Sequence, residues 1–203
     1  MPYKETHTAP YFEYWGRQAG EFGKGYYSFD VGRWHIIALN SKIEKAKHEA
    51  TFTAQHAWLQ HDLAIAQGRC ILAFWHHPVF SSGQHPGSPR MKPMLKTLYQ
   101  FGVTVVLNGH AHNYERFAPQ NPDGGRDLAR GFRQFVVGTG GVPLRPLKTR
   151  QPNSEVFQAK TYGVLRLDLY SHHYVWKFLP VIDVRPYDMG TGPCVNFPQP
   201  NTL

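Results

Sequence analysis

Two short apolar runs constrain this chain more than any other feature. Cys70 to Trp75 and Val103 to Leu107 are each of strand length and carry no charge, and Lys92 to Phe101 between them reads as a helix stopped by Gly102. A strand, a loop, a helix and a second strand make a crossover, which sets the two strands parallel and side by side. The segments that follow both strands then leave from one edge of the sheet, where open α/β sheets bind ligands.

Histidines follow both runs. Phe74-Trp75-His76-His77-Pro78 comes directly after the first, and Asn108-Gly109-His110-Ala111-His112-Asn113 directly after the second. Neutral imidazole is a good ligand for zinc, iron, manganese and related ions, so His76, His110 and His112 can share a metal site. Successive side chains leave a strand on opposite faces, so only one of His76 and His77 should face the metal, and periodicity does not choose between them. The loop Ser81-Ser82-Gly83-Gln84-His85 can reach over the same crevice, which makes His85 a candidate substrate-facing acid. His35, His48, His56, His61, His172 and His173 lack such company and read as structural, while His7 stays unassigned.

Elsewhere, Tyr26 to Val31 and Trp34 to Leu39 read as a hairpin turning at Gly32-Arg33. Thr53 to Gln67 carries Ala54, Ala57, Trp58, Leu63 and Ile65 at helical spacing. Further strands are expected at Phe132 to Val137, Tyr162 to Leu169 and Tyr174 to Pro180, the last two joined through Ser171-His172-His173. Residues 1–24 read as irregular aromatic packing, Pro143 to Lys160 as a long polar loop, and about 181–203 as an irregular tail. No repeat or linker divides the chain, so a single domain over residues 1–203 is expected, of mixed α and β structure.

Charge narrows the partners. Twenty-two Lys and Arg against 14 Asp and Glu give a formal +8, which favours anions such as phosphate esters. The positive residues are scattered singly, unlike the basic arms that grip nucleic acid, so nucleic acid is not the expected partner. No apolar run nears the roughly 18 residues a membrane helix needs, and the N-terminus does not read as a signal peptide. The two cysteines, Cys70 and Cys194, can bridge in an oxidising compartment, and their number alone leaves the pairing open.

The strings Trp75-His76-His77-Pro78-Val79-Phe80-Ser81-Ser82-Gly83 and Leu107-Asn108-Gly109-His110-Ala111-His112-Asn113-Tyr114-Glu115-Arg116 resemble the last two motif blocks of the calcineurin-like metallophosphoesterases of the purple acid phosphatase kind. Ala9-Pro10-Tyr11-Phe12, Gly25-Tyr26-Tyr27-Ser28-Phe29-Asp30, Ala38-Leu39-Asn40-Ser41, Val137-Gly138-Thr139-Gly140-Gly141 and Tyr162-Gly163-Val164-Leu165 extend the likeness. The resemblance implies part of the family's four-layer α/β fold, a β-sandwich flanked by helices, and hydrolysis of phosphate mono- or diesters by a metal-activated hydroxide. It implies that His76 and His110 share one ion, that His112 holds its neighbour, that His77 is not a ligand, and that His85 contacts the phosphate or leaving group. Two divalent or trivalent ions, such as iron, zinc or manganese, are usual in the family.

The likeness is to the C-terminal half only. The family's Asp-X-Gly, Gly-Asp-X-X-Tyr and Gly-Asn-His-Asp/Glu motifs have no counterpart, and Met1-Pro2 stand where the last of these would end. The expected consequences are a fold with its N-terminal portion missing, one ion or none in place of two, and self-association through an exposed sheet edge. Three histidines and a water suffice for one zinc ion. The alternative is a non-catalytic remnant or binding module that keeps half the fold and at most one weak metal site. Relatives are often secreted or periplasmic, but nothing in the sequence assigns a compartment.

Overall fold

The computed structural model describes residues 9–43, 48–182 and 185–195, so the unassigned His7 and the last part of the tail lie outside the described residues. Strands β1 (Tyr27–Val31) and β2 (Trp34–Ala38) form the expected hairpin, with Tyr27 opposite Ala38 and Val31 opposite Trp34. Strand β2 then runs parallel to β3 (Cys70–Trp75), and β3 runs parallel to β4 (Val103–Asn108). The crossover between β3 and β4 is made by α3 (Lys92–Gln100), as the alternation of apolar run and helical stretch requires.

Past β4 the chain turns back as β5 (Tyr114–Phe117), and β6 (Arg133–Val137) slots between β4 and β5, parallel to the former and antiparallel to the latter. With β7 (Ser154–Gln158) on the outside of β5, the large sheet runs β1-β2-β3-β4-β6-β5-β7. A second, antiparallel sheet is built from β8 (Gly163–Leu169), β9 (His173–Pro180) and β10 (Asp188–Pro193), with β9 in the middle.

Side chains alternate across the large sheet and fill two cores. Ile71 and Ala73 of β3 join Ile37, Val103 and Val106 beneath α2 (Glu49–Ile65) and α3, whose Leu59, Leu63, Met94, Leu95 and Leu98 are almost wholly buried. Each such aliphatic side chain contributes about 1.5–3 kcal/mol of transfer free energy. Cys70 and Leu72 point the other way, and with Trp34, Ile36, Val105 and Phe135 they pack against Tyr174, Trp176 and Phe178 of the second sheet. The layers are therefore helices, large sheet and small sheet, which is part of the four-layer arrangement expected. The two cysteines are bonded, Cys70 opening β3 and Cys194 directly after β10, with Cα atoms 5.5 Å apart.

Four sequence expectations need correction. The tail is not irregular from residue 181, because β10 pairs with β9 from Asp188 to Pro193; its Gly190 and Gly192 lie so close to Trp176 and Tyr174 that a side chain there would collide. The polar loop 143–160 contains β7, and residues 1–24 contain helix α1 (Ala9–Trp15), which buries Phe12. Helix α2 begins at Glu49 and buries Phe52, Leu59 and Leu63, whereas Ile65 is 73% exposed.

Candidate metal centre

Three strand ends meet at one edge of the large sheet. His76 and His77 follow β3 directly, His110 and His112 lie in the turn between β4 and β5, and Ser41 lies three residues beyond the end of β2. The turn after β4 is tight. His110 has φ 63°, a left-handed conformation uncommon for a residue with a side chain, and Gly138 packs so closely beneath the Ala111 carbonyl that no Cβ would fit there. Asn108 helps fix the two ends, its Nδ2 donating to the Trp75 carbonyl at 3.0 Å, while Gly109 N–H donates to the His76 carbonyl at 3.1 Å.

His76 Nε2 and His110 Nδ1 face each other at 3.1 Å. One ring nitrogen from each of His76, His77 and His110 lies within 4.8 Å of the others. His85 stands over this group, its ring centroid 4.8 Å from that of His110 and 5.3 Å from that of His112. Of the four residues singled out from sequence, His76 and His110 are thus in direct contact, His85 caps them, and His112 is outside the set of mutually close nitrogens. His77, set aside as a ligand by the resemblance, is inside it.

Hydrogen bonds distinguish these rings. His77 is buried, and Ser41 Oγ lies 2.9 Å from its Nδ1 while accepting the His77 backbone N–H at 3.1 Å. A hydroxyl whose oxygen is so engaged is free to donate its proton to Nδ1, which leaves the ring hydrogen of His77 on Nε2. His112 has the opposite arrangement: its Nδ1 lies 3.1 Å from the Pro143 carbonyl. A carbonyl can only accept, so Nδ1 carries the hydrogen and Nε2 keeps its lone pair, the state in which histidines bind metals.

The surroundings favour the uncharged form of His76, His77 and His110. Burial, followed by the neighbouring imidazoles, brings His77 and His110 down to about 4, and burial with Lys42 and His112 lowers His76. His85 is lowered by burial, then by Arg145 and His112. The facing nitrogens of His76 and His110 suit one ion of borderline softness. Among the described residues no carboxylate joins the group, so it offers no anionic bridge between two ions.

The loop carrying His85 is tied down from behind. Glu115 of β5, fully buried, accepts the Ser82 N–H at 2.9 Å and the Ser154 hydroxyl at 2.7 Å. Burial raises its pKa above the ordinary carboxyl value, against the pull of those bonds. The sequence reading missed the parts of Ser41, Glu115, Pro143 and Lys42. The rule that located His76 and His110, residues beyond the C-terminal ends of parallel strands, also points to Ser41 and Lys42 after β2.

Comparison with known proteins places the chain in a phosphoesterase family. The profile of the calcineurin-like phosphoesterase family matches residues 3–114. Purple acid phosphatase 18 of Arabidopsis thaliana is 30% identical over 186 residues, covering 87% of this chain and 38% of its own length. Purple acid phosphatase 21 of the same plant is 32% identical over 164 residues, covering 74% of this chain and 36% of its own. The chain therefore spans little more than a third of the length of these relatives. A solved purple acid phosphatase from yellow lupin seeds superposes with a TM-score of 0.73 at 19% identity, over 85% of this chain and 33% of the lupin chain.

Proposed function

Because the chain belongs to the calcineurin-like phosphoesterase family and is purple acid phosphatase-like, we propose that the histidine cluster is the imidazole part of a metal-dependent phosphoester hydrolase site. The observation that supports this most directly is the facing pair His76 Nε2 and His110 Nδ1, two uncharged rings delivered by adjacent parallel strands. In this reading His76 and His110 hold one ion between them, and His112 turns its free Nε2 toward the same crevice. His77 is a neighbour whose Nε2–H can donate to a phosphoryl oxygen. A bound ion supplies positive charge for the phosphoryl group and acidifies water.

The remaining work falls to the chain itself. His85 overlies His110 and His112, so its imidazolium form is placed to give a proton to a departing oxygen. Ser82, pinned by Glu115, fixes the loop on which His85 rides. Lys42 adds a cation at the end of the cluster nearest His76, His77 and His110 and helps draw an anion in.

The test is hydrolysis of p-nitrophenyl phosphate with zinc, manganese or iron added, compared with a variant in which His76, His110 and His112 are all changed to Ala. Metal-dependent turnover that the triple variant lacks is the expected outcome. Equal rates for the two proteins would exclude the histidines from any catalysis. A second reading, a module that binds metal and phosphate without turnover, is favoured by the lack of a carboxylate in the cluster among the described residues. It predicts metal bound at up to one equivalent, lost in the triple variant, with no hydrolysis by either protein.

A further inference from the structure

The segment from Pro143 to Gln151 is fastened to the histidine centre at several points. Arg145 N–H donates to the His112 carbonyl at 2.9 Å, and His112 Nδ1 returns a bond to the Pro143 carbonyl. Lys148 N–H donates to the Ser82 carbonyl at 2.9 Å, Leu147 forms a bridge with Gly83, and Gln151 N–H donates to Ser82 Oγ at 2.9 Å. The backbone of this segment is thus held against both the His112 turn and the His85 loop. Its cationic side chains are carried to a defined place.

Arg145 and Lys148, with Gln84 and Leu147, line a cavity of about 400 Å³ beside His85. Neither cation has a carboxylate partner among the described residues, whereas Arg116, Arg133 and Arg166 each do. Arg145 is close enough to His85 for its charge to bear on that ring, while Lys42 bears on His76, His77 and His110. Cations therefore flank the histidines at two ends. A single phosphoryl group held at His76 and His110 needs only one of them.

We propose that Arg145 and Lys148 form a subsite for a second anionic group, so that the preferred ligands are phosphoesters or phosphoanhydrides whose leaving group carries another phosphate. This rests on reading the histidine cluster as the phosphoryl site. A guanidinium offers a planar pair of donors to a phosphate, and a lysine ammonium adds a mobile point charge. Both groups are exposed, so their contribution weakens as salt is added.

The experiment is calorimetric titration of metal-free protein at low salt with two probes, inorganic phosphate and inorganic pyrophosphate. The proteins are wild type, Arg145→Ala/Lys148→Ala, and Arg33→Ala/Arg69→Ala as a charge-matched control at the opposite end of the parallel strands. Pyrophosphate is expected to bind wild type about tenfold more tightly than phosphate, and the double variant is expected to lose most of that ratio. The control is expected to keep it. Pyrophosphate affinity that is unchanged in the double variant, equal affinities for the two anions in wild type, or no pyrophosphate binding by wild type would each overturn the subsite. Pyrophosphate binding that depends on Arg145 and Lys148 in a protein that binds no phosphate would keep the subsite and remove the phosphoryl site instead.

Discussion

Hydrogen-bond partners give neighbouring histidines different chemistry. His76 and His77 are adjacent, yet His76 opens onto His110 while His77 is buried against Ser41. Changing His76 or His110 to Ala is expected to weaken zinc binding about 100-fold, and His77→Ala about tenfold or less, as read by competition with a chromogenic chelator. His35, taken from sequence as structural, is held between Asp30 and Asp62, each 2.8 Å from one ring nitrogen. Burial works against its charge, but the two carboxylates outweigh burial and raise it above its ordinary value near 6.5. The imidazolium therefore stabilises the fold fully below about pH 6.5, and this is lost as pH rises through the raised value. Between pH 5 and 6.5 the melting temperature of His35→Gln should fall below wild type by about 2–4 °C, and the gap should close by pH 8–9.

At the scale of elements, the pattern of side chains made some strands legible and hid others. Strands β3 and β4 follow from unbroken apolar runs, because burial on both faces leaves no place for charge, while both hairpins and α3 follow from the spacing of their apolar residues and from Gly or polar stops. Strand β5 escaped because it contains Glu115 and Arg116, residues that read as solvent-facing. Both are instead satisfied inside the fold: Glu115 accepts from Ser82 and Ser154, while Arg116 Nε meets Asp188 Oδ2 at 2.8 Å and its Nη1 pairs with Glu155. Asp188 also accepts from Tyr114 and Trp176, so the same pairing explains why Gly- and Pro-rich β10 belongs to a sheet. The centre was legible as far as residue type and strand end. Its hydrogen-bond partners, Ser41 and Pro143, arrive from segments 36 and 31 residues away along the chain, a distance that no local pattern records. Between the elements, Gly138 leaves room for the Ala111 carbonyl, and Gly138→Ala should destabilise the protein by about 1–3 kcal/mol in urea melts through overpacking. The same change should lower metal affinity, since the turn it displaces carries His110 and His112.

The molecule as a whole is asymmetric in its edges. Among the described residues strand β8 pairs only with β9, and its inward Leu165, Leu167 and Leu169 are merely half-buried, while Val164 on the other face is 60% exposed. Such an edge is a template for another strand. Two copies meeting about Leu167 would set Arg166 of one strand opposite Asp168 of the other. Sedimentation velocity is expected to show mass rising with protein concentration, and Val164→Lys to reduce it. A single species at all concentrations, unaffected by the substitution, would count against this edge. No helix among the described residues is long and apolar enough to cross a membrane.

The bond between Cys70 and Cys194 makes a covalent ring of the chain between them, and His76, His77, His85, His110 and His112 all fall inside it. A protease that nicks the exposed stretch around Val142 to Arg150 would open the ring without freeing a fragment. On a denaturing gel the nicked protein should run as one band until thiol is added, then as two. A break there leaves every histidine of the cluster on one piece, which stays covalently tethered to β8, β9 and β10.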